Sequence, residues 1–159
     1  MGTRARSLQG LLAVLALGPL LEVGGWLAPL PSARAELPPW VYGQEQRQAP
    51  LRLELEVLTV QTWPADQPDQ LRVQARVLAV MRQPRGGHLR PGDRLQLRYA
   101  IPPQHPGGWV GPAPLPWLKA GQRVPAWLAP DPDAPGTYRP AAGGRSFGPS
   151  MEAFRGDQT

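Results

Sequence analysis

Leu51-Arg52-Leu53-Glu54-Leu55-Glu56-Val57 alternates apolar and charged side chains without a break. Successive side chains of a strand point to opposite faces. Leu51, Leu53, Leu55 and Val57 are therefore expected to line a core, while Arg52, Glu54 and Glu56 face water, as in an antiparallel sheet. Toward the C-terminus the same period recurs. Leu71, Val73, Ala75, Val77 and Ala79 share one face of a second strand running from Leu71 to about Met81, and Arg72, Gln74 and Arg76 take the other. Leu78 and Val80 make the far end apolar on both sides, which predicts that this half is covered twice. A third strand, Arg94 to Ile101, turns Leu95, Leu97, Tyr99 and Ile101 inward and Arg94, Gln96 and Arg98 outward.

Proline and glycine punctuate these strands. Trp63-Pro64 through Pro68-Asp69 and Pro84 through Gly92 read as turns. Residues 102–117 are so rich in both that neither an interior helix nor a central strand is possible, and a long ordered loop or polyproline II segment is expected. A fourth strand follows from Arg123 to Ala129, with Val124, Ala126 and Leu128 opposed to Arg123, Pro125 and Trp127. Pro125 implies an edge position or a bulge there. Thr137-Tyr138-Arg139 makes a short fifth strand. Five short strands with a long connection before the fourth predict an all-β fold, a small OB-type barrel rather than a sandwich of about seven strands.

Upstream, Arg4 and Arg6 precede an apolar run from Leu8 to Leu21, and Ala33-Arg34-Ala35 follows. Basic, apolar, then small-x-small is the order of a secretory signal. Residues 1–35 are therefore expected to be a signal peptide cleaved after Ala35, leaving Glu36 first. No stable transmembrane segment is expected after processing, since the run falls short of the ~20 residues a span needs. An uncleaved anchor is the alternative. Residues 36–50 are expected to be an extended lead-in, 51–147 the barrel and 148–159 a flexible tail. Without Arg4, Arg6, Arg34 and Glu22 the chain keeps 14 basic and 11 acidic side chains, a net of +3. There is no cysteine, which removes disulfides, thiolate metal sites and thiol nucleophiles.

Three motifs together resemble netrin-like modules: Val77-Leu78-Ala79-Val80, then Leu89-x-Pro91-Gly92-Asp93-x-Leu95-x-Leu97, then Leu118-x-Ala120-Gly121-Gln122. The resemblance covers 51–147 and implies a secreted five-stranded OB-type barrel. That family's protease inhibition depends on a terminal cysteine that chelates a metal, and none is present here, so the activity does not carry over. In composition and ending the chain is also similar to small exported cyanobacterial proteins, which would place it in the periplasm, outside the cell or in the thylakoid lumen.

Candidate chemistry is sparse. His88 and His105 stand in different turn regions, so no metal site and no cofactor is expected. Ser146 lies among glycines but lacks the G-x-S-x-G elbow. A serine hydrolase is thus the minor alternative to a β-turn whose serine bonds locally to backbone. Glu54 and Glu56, ~7 Å apart on one wet face, match carboxylate spacing for acid–base work, but cross-strand pairing with Arg72 and Arg76 is the simpler account. Arg72, Arg76, Arg82, Arg85, Arg90, Arg94 and Arg98 accompany a single acid, Asp93, over 27 residues. If the second and third strands pair, Arg72, Arg76, Arg94 and Arg98 share one outer face. No aromatic is expected there to stack bases, so nucleic acid is not the expected partner. A charged wet face offset by Glu54 and Glu56 competes with an anion-binding role.

The segment Trp109 to Trp117, with Pro112, Pro114 and Pro116, suits a rigid contact surface, since little entropy is lost when such residues dock. Against this, both indoles could fold down over the barrel end. The expected function is a non-enzymatic exported binding module. Its partner would be a protein, a glycan or an anionic surface held by that segment and by the arginine face. A structural envelope component is the third possibility.

Overall fold

A computed structural model describes residues 36–64, 66, 69–102 and 111–156. The expected signal segment through Ala35, and His105 and Trp109, lie outside the described residues. Five strands, β1 (Leu51–Thr62), β2 (Gln70–Arg82), β3 (Arg94–Ala100), β4 (Arg123–Pro130) and β5 (Thr137–Pro140), close into a barrel in the order β1-β2-β3-β5-β4. All neighbours are antiparallel except β3 and β5, which pair in parallel through Gln96↔Thr137 and Leu97↔Tyr138. This is an all-β, OB-like barrel, as the strand pattern predicts.

The alternating residues fill it. Leu53, Leu55, Val73, Ala75, Val77, Leu97, Ala126 and Leu128 are fully buried in one cluster, with Tyr99 and Phe147 in ring contact at 5.6 Å. Pro125 sits opposite Glu54, and Trp127 N–H donates to Ser146 O on the side away from β1. The imide nitrogen of Pro125, two residues earlier, faces that same side beyond the end of β5. Residues 146–148 run along that side, bridging Ala126 through Phe147 and donating Gly148 N–H to Pro125 O, so the proline sits where an irregular segment rather than a regular strand flanks β4.

Bulges change the rest of the pattern. β1 runs five residues past Val57 because a register shift at Leu58 flips its parity, so Val60, facing Val73, packs on the core. Further shifts in β2 set Ala79 opposite Glu54 on the outer face and Val80 opposite Leu53 on the inner one. Ala79 does not continue the inward row, and the apolar run at 78–80 marks a bulge rather than double cover.

The lead-in is not extended. Pro39–Gln48 is an α-helix, α1. Pro39 opens it with a φ suited to the first turn, and Pro50 closes it by forcing Ala49 out of the helical region, to ψ 126°. Its buried face is Tyr42, Gly43 and Gln46, a row with little apolar signal. The C-terminal segment docks against it. Gln46 accepts from Met151 N–H at 2.6 Å and donates to Arg145 O at 2.8 Å. A Cβ on Gly43 would stand 2.3 Å from Met151 O, so only glycine admits this crossing. The expected tail thus packs through its described part, up to residue 156, because buried amides on α1 receive its backbone.

The end of the helix and the tail together cover the part of the β1–β4 outer wall around Trp127 and Arg52. Trp127, outward on β4, is fully buried with Ala49 and Ala142 in a second small core. Glu152 accepts from Arg52 at 2.9 Å, from Arg82 at 3.1 Å and from Trp127 Nε1 at 3.4 Å.

Candidate binding face

Among the described residues, no helix or tail covers the opposite wall, β2 and β3. Its register sets Arg72 opposite Arg98, Gln74 opposite Gln96 and Arg76 opposite Arg94. The inward neighbours of these residues, Leu71, Val73, Ala75, Leu95, Leu97 and Tyr99, are buried, which fixes all six polar side chains outward. The four expected arginines therefore meet on one face as two like-charged cross-strand pairs with an amide pair between them. β1 extends the face with Thr59 beside Gln74 and Gln61 beside Arg72.

The carboxylates do little to neutralise it. Glu56 pairs with Arg76 at 3.3 Å, as expected. Glu54 lies between Ala79 and Pro125, away from Arg72, so the second expected pair does not form. Asp93 is spent on its own turn, where it accepts from Arg90 N–H at 2.7 Å. Neither Arg94 nor Arg98 has an ion-pair partner among the described residues.

One feature corrects the sequence reading: the face does have an aromatic. Trp63, 48% exposed at the end of β1, places its ring 3.9 Å from the Arg72 guanidinium. Arg72 Nε, buried beside it, has no hydrogen-bond partner among the described residues. The missed signal was local. Trp63 N–H donates to Gln70 O, so the hairpin ladder runs one residue past β1 and brings the indole level with Arg72. A loop starting at Trp63 hides this. Arg98 also lines a cleft of about 330 Å³ where β3 and β5 diverge, shared with Gln70, Asp131, Asp133 and Arg139.

The proline-rich segment is a strap. Leu118 is buried and Leu115 packs on the barrel core. Tyr99 Oη donates to Pro116 O at 3.1 Å, and Tyr42 Oη accepts from Ala113 N–H at 2.6 Å. The strap crosses Gly144 so closely that a Cβ there would lie 1.9 Å from Ala113 O. Burial pushes the Tyr99 phenol up to about 12, with a Leu118 backbone hydrogen bond partly opposing. Pro112 and Pro114 are exposed and Pro116 half-buried; Trp117 is 53% exposed and does not fold down.

Ser146 is fully buried. Its Oγ donates to Gly143 O at 2.7 Å and accepts from Ala142 N–H at 2.8 Å, the local turn bonding expected of it. Glu36 pairs with Arg145 at 2.7 Å. His88 is exposed in the β2–β3 hairpin. A second cleft, about 380 Å³, lies between α1 and β5 and includes Glu45, whose carboxyl burial holds above its ordinary range. No three potential metal ligands gather among the described residues, and none of their helices is long and apolar enough to cross a membrane. No protein-family model, curated protein or solved structure matches this chain.

Proposed function

We propose that the chain is an exported, non-enzymatic binding module that holds an anionic partner across the outer face of β2 and β3. The observation that carries this reading is the in-register opposition of Arg72 with Arg98 and Arg76 with Arg94, with only one of the four neutralised by a carboxylate. Like charges directly opposite on a sheet cost stability, about 0.2–1 kcal/mol per pair. A partner's anionic oxygens would turn that cost into charge-assisted, two-pronged guanidinium hydrogen bonds. Export rests on the Arg4–Ala35 signal pattern.

The test compares the wild type with a variant carrying R72Q, R76Q, R94Q and R98Q on dextran sulfate. The wild type is expected to bind with affinity falling steeply as salt rises, and the variant to keep its circular-dichroism spectrum and lose that binding. Equal binding by both, or no salt-sensitive binding by the wild type, overturns the reading.

A second contact surface, for a protein partner, is supported by Trp117, whose indole is half exposed while its neighbours Leu115 and Leu118 pack inward. Because Ala113, Leu115 and Pro116 anchor the strap, Trp117→Ala rather than deletion of the segment is its test. Loss of a co-purifying partner with unchanged stability is the expected outcome.

A further inference from the structure

We infer that the anionic partner is a polyhydroxylated acidic chain, an acidic polysaccharide, rather than a nucleic acid; this rests on the reading of the arginine face given above. The order of side chains along the face favours such a chain. The rungs read Arg72–Arg98, Gln74–Gln96, Arg76–Arg94. At the rise of a strand, neighbouring rungs stand ~6.6 Å apart and the two cationic rungs ~13 Å apart. The face thus offers paired positive charge at intervals, separated by two primary amides, with Thr59 and Gln61 alongside.

Amides and a hydroxyl, each able to donate and accept, complement neutral hydroxyls. They give little to a phosphate, which only accepts and would be better served by another cation. A nucleic acid carries a phosphate at every link and bases whose apolar faces need stacking platforms along the path. The only aromatic at this face among the described residues is Trp63, at one end, and its ring is already covered by Arg72. An acidic glycan carries neutral hydroxyls on each charged ring, and these match the amides and the hydroxyl that stand between and beside the cationic rungs. The cleft beyond Arg98 differs from the face in adding Asp131 and Asp133 to Gln70 and Arg139, beside Tyr99 and Leu115, so at the end of the path acceptors for a sugar's hydroxyls stand next to cations.

The experiment measures binding of the purified exported protein to oligogalacturonate, dextran sulfate, neutral dextran and poly(dT), the charged probes matched in total charge, at one low salt concentration. It is repeated with Gln74→Ala/Gln96→Ala. The expected result is at least about tenfold tighter binding to one of the two acidic glycans than to poly(dT). The double variant should lose about tenfold on that glycan and little on poly(dT). Oligogalacturonate ahead of dextran sulfate identifies carboxylate as the recognised group, and the reverse order identifies sulfate. Poly(dT) binding as tightly as either glycan, or a glutamine variant that binds like the wild type, overturns the inference and leaves the anion-binding reading standing. If no charged probe binds, both fall together.

Discussion

Two outer walls of one barrel treat their arginines in opposite ways. Along the β1–β4 wall and the adjoining end of β2, Arg52 and Arg82 converge on the single carboxylate of Glu152, and Arg82 also donates to Ala49 O and Gln46 O. The end of helix α1 and the C-terminal segment lie against them, leaving each side chain 34% exposed, and Trp127 is buried beneath. On the β2–β3 wall, four arginines face one another with, among the described residues, one carboxylate and no cover of helix or tail. The chain can therefore pair cations where partial burial raises the cost of leaving them alone. Among the described residues Arg94 and Arg98 have no carboxylate, which costs little on a wet face.

The largest effect should come from breaking the covered wall. Trp127→Ala empties the second core and is expected to cost about 3–5 kcal/mol by urea denaturation. Trp117→Ala, which removes an exposed indole from the strap, should stay within ~0.5 kcal/mol. If Trp127→Ala cost no more than Trp117→Ala, the β1–β4 wall would not be a packed layer, and the contrast between the walls would collapse.

Next in size is Glu152→Gln. It keeps the shape and removes the charge shared by Arg52, Arg82 and Trp127, with an expected cost of about 1.5–3 kcal/mol. Proteolysis should then clip the last residues of the chain before the barrel. A variant that melts like the wild type with a protected C-terminus would show that the helix, not the carboxylate, holds the segment down.

Tyr99→Phe probes the strap that closes the barrel. Losing the hydrogen bond to Pro116 O is expected to cost about 1 kcal/mol at neutral pH. The wild type should also weaken as pH rises from about 10 to about 12, because the unfolded phenol ionises in that window while the buried one keeps its proton. The stability conferred by the protonated phenol is complete below 10 and is lost as pH climbs through the folded value. The phenylalanine variant should show a flatter alkaline slope, and equal slopes would put the phenol in water.

Sequence pattern reached the barrel because its inner rows obey a period of two wherever strands are regular. It stopped at Leu58, Leu78 and Met81, where each bulge adds a residue and inverts the pattern; these shifts depend on the partner strand's register. Helix α1 escaped notice because its buried face is a tyrosine, a glycine and a glutamine satisfied by backbone 99 to 105 residues away. The C-terminal segment escaped for the same reason, since Glu152 reads as a surface acid until Arg52 and Arg82 are placed around it. At the candidate face, the outward arginines followed from alternation. Their direct opposition needed the β2–β3 register, and Trp63 needed the extra hairpin rung.

The smallest expected effect bears most directly on function. Arg94→Gln removes one member of a like-charged rung whose partner, Arg76, already has Glu56. It should raise stability, by about 0.2–1 kcal/mol at low salt, and the gain should shrink as ionic strength rises and screens the pair. Arg82→Gln, at the end of β2 beside the covered wall, should change stability in the opposite direction, since it strips Glu152 of a partner. Opposite signs from the same substitution would mean that the barrel tolerates cost at Arg94 which it does not tolerate at Arg82. A neutral or destabilising Arg94→Gln would mean that the β2–β3 face is already balanced, and its arginines would lose their claim to an external anion.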